Sequence, residues 1–226
     1  MGEHKISRKR AVPYKAKKAR STITTVIVLL AVIVVLAIDI FQRQDRSPMA
    51  EANFEPQRTR GSAQAPLKIV EFVDFQCAQC AKGADVLKEF IEKYPEAIQL
   101  TVKYFPLGEL NSTISAYYGE CAARQGKFWE LLDRMFKEQE DWRTLLRVKQ
   151  YLDKLVTDAG LDMGEMEKCV ERKDVKTLVE KERAMGESYF IKSTPSYFIN
   201  GELVVGVHAL REHLEKYFEK KSADSM

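Results

Sequence analysis

The sequence predicts an α/β fold: a strand–helix–strand unit, a long helical block and a closing strand–strand–helix unit, preceded by one apolar N-terminal span. Three observations carry this. Two runs rich in β-branched and aromatic residues, LKIVEFVD at 67–74 and IQLTVKYF at 98–105, flank a segment with apolar residues at helical spacing. From Asn111 to Tyr189 the apolar period is helical throughout. Beyond it, Asn200-Gly201-Glu202 separates two short β-branched runs, a strong hairpin signal.

The N-terminal span comes first in the chain. Residues 22–40 read TITTVIVLLAVIVVLAIDI, broken only by Asp39. As a helix they would reach roughly 28 Å, close to the hydrocarbon thickness of a bilayer. Eight Lys/Arg precede the span and two follow it shortly after. The positive-inside rule then keeps residues 1–21 in the cytoplasm and sends everything after Phe41 across the membrane. A cleaved signal peptide would have a shorter apolar core and a small-residue cleavage site, whereas Arg43, Asp45 and Arg46 follow here. Residues 22–41 are therefore expected to be an uncleaved signal anchor. A bacterial cytoplasmic membrane with the domain on its periplasmic side is the expected setting.

Charge follows the same division. Residues 1–46 carry ten Lys/Arg against three acids, whereas the rest of the chain has a net charge of −4. A mildly acidic body offers no electrostatic footprint for nucleic acid, and none is expected as a partner. With 45% hydrophobic and 31% charged residues, the composition is that of a globular protein.

Residues 42–65 are polar and interrupted by Pro48, Pro56 and Gly61, so they read as a tether, with the folded domain starting at Pro66. The first helix is expected over 77–94, carrying Ala84, Val86, Leu87, Phe90, Ile91 and Tyr94 and ended by Pro95. In the helical block the period picks out 115–125, 128–137, 145–156 and 175–189, with breaks at Gly126, Asp141 and Gly160. Trp129, Phe136 and Trp142 read as core aromatics. The closing strands are expected at 196–199 and 203–207, the last helix at 209–221, and a frayed end at 222–226 within a C-terminal tail over 219–226.

The chemistry concentrates in Cys77-Ala78-Gln79-Cys80, placed where the first strand has ended and the helix begins. A thiolate at a helix N-terminus is stabilised by free N–H groups and the positive end of the helix dipole. A second thiol three residues on lies on the same face one turn later. Disulfide exchange needs this pairing of an exposed attacking thiolate and a resolving thiol. The competing reading is half of a zinc site. No second close cysteine pair exists, and Cys121, Cys169, His208 and His213 are scattered, so no metal is expected.

The order of four segments resembles the DsbA-like thiol–disulfide oxidoreductases, thioredoxin folds with an inserted helical domain. They are VEFVDFQCAQC at 70–80, KYFPL at 103–107, RQGKFWELLDRMF at 124–136 and STPSYFINGELVVG at 193–206. The resemblance covers residues 66–218, with the insertion at about 111–189. It implies Cys77 as nucleophile, Cys80 as resolving thiol, and a dipeptide, Ala78-Gln79, that tunes the potential. It makes Pro195 the family's cis-proline, with Thr194 before it against the cysteine pair; by composition alone Pro195 would be a strand-start proline. Glu71 occupies the position of an acid that moves the proton of the buried cysteine, although an exposed glutamate on a half-solvated strand fits the same pattern. Asp74 matches no family role. Related domains often carry a second disulfide in the insertion, which implies a Cys121–Cys169 bridge; free buried thiols are the alternative. Closing that loop of about 49 residues would contribute on the order of 4 kcal/mol in a chain-entropy account.

The resemblance implies no cofactor beyond the Cys77–Cys80 disulfide, protein thiols and disulfides as substrates, and a membrane redox partner. Strong oxidants of the family end the dipeptide in His, where Gln79 stands here, so a less oxidising potential is expected. A reductase or isomerase kept reduced by a membrane partner remains an alternative. So does a tethered Cu(I) chaperone, although no Met or His lies between Phe72 and Val86.

Overall fold

The computed structural model describes residues 26–36, 56–108 and 110–223. The chain divides into two units, residues 1–46 and 47–226. In the first, residues 26–36 form a helix whose side chains are all exposed. Among the described residues no helix is long and apolar enough to cross a membrane. The remainder of the expected anchor, the basic tail 1–21 and residues 42–55 of the expected tether lie outside the described residues.

The second unit is built on a five-stranded sheet in the order β1-β3-β2-β4-β5, with Thr59–Arg60 as the edge strand β1. β2 (Leu67–Val73) and β3 (Ile98–Tyr104) run parallel, Glu71 opposite Val102, and are joined by α1 (Ala78–Lys93). β4 (Ser196–Ile199) adds antiparallel to β2, and β5 (Glu202–Val205) antiparallel to β4. Asn200 and Gly201 join these last two strands with φ of 49° and 91°, the positive-φ pair that a two-residue hairpin turn of matching twist requires. The insertion comprises α2 (Leu110–Arg124), α3 (Phe128–Lys137), α4 (Gln139–Trp142), α5 (Val148–Asp158), α6 (Met163–Val170) and α7 (Lys173–Ser188). α8 (Val207–Ala223) closes the domain.

Strand alternation gives the sheet two different faces. Ile69, Val73, Leu100, Val102, Tyr197 and Ile199 join the large core shared with α1, α8 and the insertion. Val70, Phe72, Phe105 and Phe198 form a smaller apolar layer on the opposite face with Ile191. α7 approaches that layer closely at Gly186, where a Cβ would stand 2.5 Å from the Phe105 ring.

The structure corrects several expected boundaries. The domain starts before Pro66: residues Pro56–Arg58 form a 3-10 turn and β1 (Thr59–Arg60) pairs antiparallel with β3. What holds this arm is charge. The buried Arg58 guanidinium forks onto Glu182 at 2.8 and 2.9 Å, donates to the Val102 carbonyl and lies 4.4 Å over the Tyr104 ring. Lys103 Nζ and the Tyr104 N–H complete the shell around Glu182. Asp141 does not break the block but sits inside α4. α6 is not among the four helices the period picks out; it follows the break at Gly160. It starts on Asp162, whose side chain accepts from the Glu165 N–H at 2.8 Å. The second hairpin strand ends at Val205 rather than 207, because Gly206 turns the chain at φ 85° into α8. That helix runs to Ala223, through most of the expected tail.

Candidate functional site

The end of β2 feeds residues 74–77 into a tight turn before α1. The Cys77 N–H donates to the Asp74 carbonyl at 3.1 Å, and the Cys77 carbonyl accepts from the Cys80 N–H at 2.9 Å. The Asp74 carboxylate accepts from the Gln76 N–H at 2.8 Å and from the Leu107 N–H at 2.9 Å, binding the turn to the loop after β3. Gln76 is itself held from the insertion: its amide donates to the Arg143 carbonyl and accepts from Ser112. Asp74 and Gln76 thus shape the turn although the sequence reading gave neither a role. Their signal was only position, next to the cysteine.

Cys77 caps α1 with extended backbone (φ −76°, ψ 115°), so its side chain stands at the helix N-terminus. Both it and Cys80 are free thiols, Cys77 half-buried and Cys80 at 0% exposure. The bond between Thr194 and Pro195 is cis, and the Thr194 carbonyl accepts from Cys77 Sγ at 3.4 Å. Residues 117 apart in sequence are thereby brought together. The Cys77 thiol is pulled down to about 5: the hydrogen bond from Cys80 is the largest cause, burial opposes it, and Thr194 with the N–H groups of Cys80 and Gln79 adds to the fall. Cys80 moves the other way, well above the ordinary thiol range, first by burial and then by its bond to Cys77. The two thiols therefore differ strongly in acidity.

Glu71 lies beneath this pair, in the β2 position opposite Tyr197 of β4. It is 3% exposed, which removes the half-solvated reading. Burial pushes its carboxyl up to about 8, with Arg60 and Tyr197 pulling back and Cys77 adding to the rise. Four buried polar atoms here lack a hydrogen-bond partner: Glu71 Oε1, Tyr197 Oη, Thr194 Oγ1 and Arg60 Nε. Tyr197 Oη is seated under α1 at Gly83, where a Cβ would meet it at 2.2 Å. Arg60 reaches in from the edge strand and lies 4.2 Å over the Trp129 ring. Tyr197 and Arg60 were missed in the sequence, the first inside a strand run and the second inside the expected tether. Ala78 and Gln79 open α1 beside the thiols, and Gln79 is exposed.

Cys121 of α2 and Cys169 of α6 lie apart from this centre and are joined by a disulfide, with Cα atoms 5.8 Å apart. Among the described residues no group of three or more His, Cys, Asp or Glu lies together as a metal cage.

Comparison with known proteins places the chain in a family. A thioredoxin family model matches residues 53–219, and the chain belongs to that family. It is 31% identical over 163 residues to the probable disulfide bond formation protein D of Bacillus cereus, covering 66% of this chain and 73% of that one. It is 30% identical over 155 residues to the Na(+)/H(+) antiporter NhaA 1 of Mycolicibacterium vanbaalenii, covering 65% of this chain. Of that antiporter the match spans only 24% of the length. The crystal structure of Wolbachia pipientis alpha-DsbA1 shares the fold, with a TM-score of 0.64 at 16% identity, over 75% of this chain and 94% of that one. Fold and relatives thus define a thioredoxin-family protein related to disulfide bond formation protein D, with the fold of alpha-DsbA1.

Proposed function

We propose that Cys77 and Cys80 are the redox pair of an extracytoplasmic oxidoreductase that exchanges disulfides with protein substrates. The observation that carries this is the split in acidity: a low-lying thiolate at the helix N-terminus with a buried, proton-retaining thiol behind it. In the reducing direction, Cys77 thiolate attacks a substrate disulfide, one substrate sulfur leaves as thiolate, and a mixed disulfide forms. Cys80 then loses its proton and attacks Cys77 Sγ. The Cys77–Cys80 disulfide closes, the second substrate thiolate leaves, and two electrons have passed to the substrate. Oxidation of substrate dithiols is the same sequence reversed.

Glu71 is the proton acceptor for Cys80 in this reading, its carboxyl held near neutrality by burial. Thr194 and Pro195 form the wall on which the substrate chain lies. Ala78-Gln79 tunes the potential. A Cys77 thiol near 5 stabilises the reduced state without a charged neighbour in the dipeptide. It lies between roughly 7 for thioredoxin and 3.5 for the strongest oxidant of the class. A lowered thiol favours the reduced state and so donation of the disulfide to substrates. The Cys121–Cys169 bridge serves structure alone, in an oxidising compartment. Residues 22–41 anchor the domain to the membrane, where a membrane partner resets the pair.

The experiment is refolding of a reduced, disulfide-containing test protein, and reduction of insulin, by the wild type and Cys77→Ser. Both activities should vanish in the variant. Retention of either without Cys77 would sink the proposal. Labelling of Cys77 in intact cells by a membrane-impermeant thiol reagent tests the location.

A further inference from the structure

Besides the contacts of Ser112 and Arg143 with Gln76, the helical insertion reaches the backbone of the redox turn through a second buried side chain, Gln139. It opens α4 and is 3% exposed. Its Nε2 donates to the Phe75 carbonyl at 2.6 Å and to the Cys77 carbonyl at 3.1 Å. Both partners are carbonyl oxygens, so the group facing them is the NH2 and both its hydrogens are used. α4 is anchored in turn by Trp142, fully buried, whose Nε1 donates to the Met135 carbonyl at 2.8 Å. On the same side Phe75 packs its ring at 5.7 Å from Phe136 and 6.5 Å from Phe128 of α3. Gln139 therefore rests on a rigid base and holds the backbone on both sides of Gln76.

We propose that Gln139 is a positioning residue for the Cys77 thiolate, through which the insertion sets the reactivity of the redox pair. The carbonyl it holds belongs to the peptide that leads into α1. Fixing that peptide plane keeps the N–H groups of Gln79 and Cys80 turned toward Cys77 Sγ, where both favour the thiolate. A donor on the Cys77 oxygen also withdraws negative charge from beside the sulfur, and a dipole aimed at a desolvated charge acts strongly. Without Gln139, the Phe75 carbonyl loses a buried donor and the turn is free to relax toward the insertion. The titratable groups facing Cys77 (Cys80, Glu71 and Tyr197) belong to α1, β2 and β4 and are left in place by a change at Gln139.

This inference rests on Cys77 being the reactive thiolate, and the two can fail separately. The test is the thiolate absorbance of Cys77 across pH 3–10 in the reduced full-length protein, for wild type, Gln139→Met and Gln139→Glu, with thermal unfolding recorded alongside. Gln139→Met keeps the volume and removes both donors. Its Cys77 midpoint should rise by about half to one pH unit, the size expected when an ordinary hydrogen bond beside the thiolate is lost. Exchange with glutathione disulfide at pH 5 should slow about two- to fivefold, following the thiolate fraction. Gln139→Glu, which sets a carboxylate against the two carbonyls, should shift the midpoint further and serves as the readout if the Met variant does not fold. A folded variant of either kind with an unchanged midpoint, whatever its melting temperature, overturns the proposal. A wild-type midpoint in the ordinary thiol range would instead overturn the redox reading on which it stands.

Discussion

Glu71 and Tyr197 stand directly opposite each other on β2 and β4, and neither Glu71 Oε1 nor Tyr197 Oη completes a hydrogen bond. The acid is therefore desolvated without being fully neutralised. That keeps its proton until about pH 8, within reach of the buried thiol it serves in our proposal. In Glu71→Gln the decay of a mixed disulfide on Cys77 should slow about a hundredfold at pH 8, the usual size of one lost proton transfer. The wild-type rate should rise with pH and level off near 8, and the variant should lack that inflection. Matching profiles would remove Glu71 from the mechanism.

The same carboxyl affects stability with a definite sign. Its pKa is raised in the folded state, so between about 4.5 and 8 the folded protein holds a proton that the unfolded chain has released. Stability falls as pH rises through that window, and the full cost is present above 8. Urea unfolding at pH 5 and pH 9 should show Glu71→Gln gaining on the wild type at the higher pH, by on the order of 4 kcal/mol. Parallel curves at both pH values would contradict this.

Gly83 is the point where α1 rests on Tyr197, and a Cβ there would meet Oη at 2.2 Å. Gly83→Ala should cost about 1–3 kcal/mol by overpacking. Tyr197→Phe removes the obstructing oxygen, so the double variant should recover much of that loss. Additive costs in a double-mutant cycle would show that the contact is not where the strain arises.

Cys121 and Cys169 close a loop of 48 residues' separation within the insertion. Replacing both with Ala should lower stability by roughly 2–4 kcal/mol, most of it through the unfolded chain. Thiol titration and exchange rates at Cys77 should stay as in the wild type, because the bridge lies apart from the redox turn. A changed Cys77 midpoint would place the bridge in the active machinery.

Much of this architecture is legible in the sequence because it is written in local patterns. The two parallel strands and α1 follow from β-branched runs around one helical period, and the hairpin from Asn200-Gly201. The cysteine pair is visible because its spacing is short. Arg60, Tyr197 and Gln139 are not visible, since each matters through a partner 11 to 126 residues away: Arg60 and Tyr197 beside Glu71, Gln139 on Cys77. A tyrosine in a strand and a glutamine in a helix look like any other until the chain closes. The arm at 56–60 was hidden for the same reason, its polar letters resembling linker while the acids that hold it lie in the insertion.

That arm fixes how little of the chain can be cut away. Arg58 is a counter-ion for two buried acids: Glu182, which it forks, and Glu120, 3.4 Å from its Nε. Trimming to residue 66 would strip a charge from a closed interior and bare the edge of β3 that β1 covers. The smallest piece that can stand alone therefore begins at or before Pro56, ten residues ahead of where the first long strand would invite the scissors.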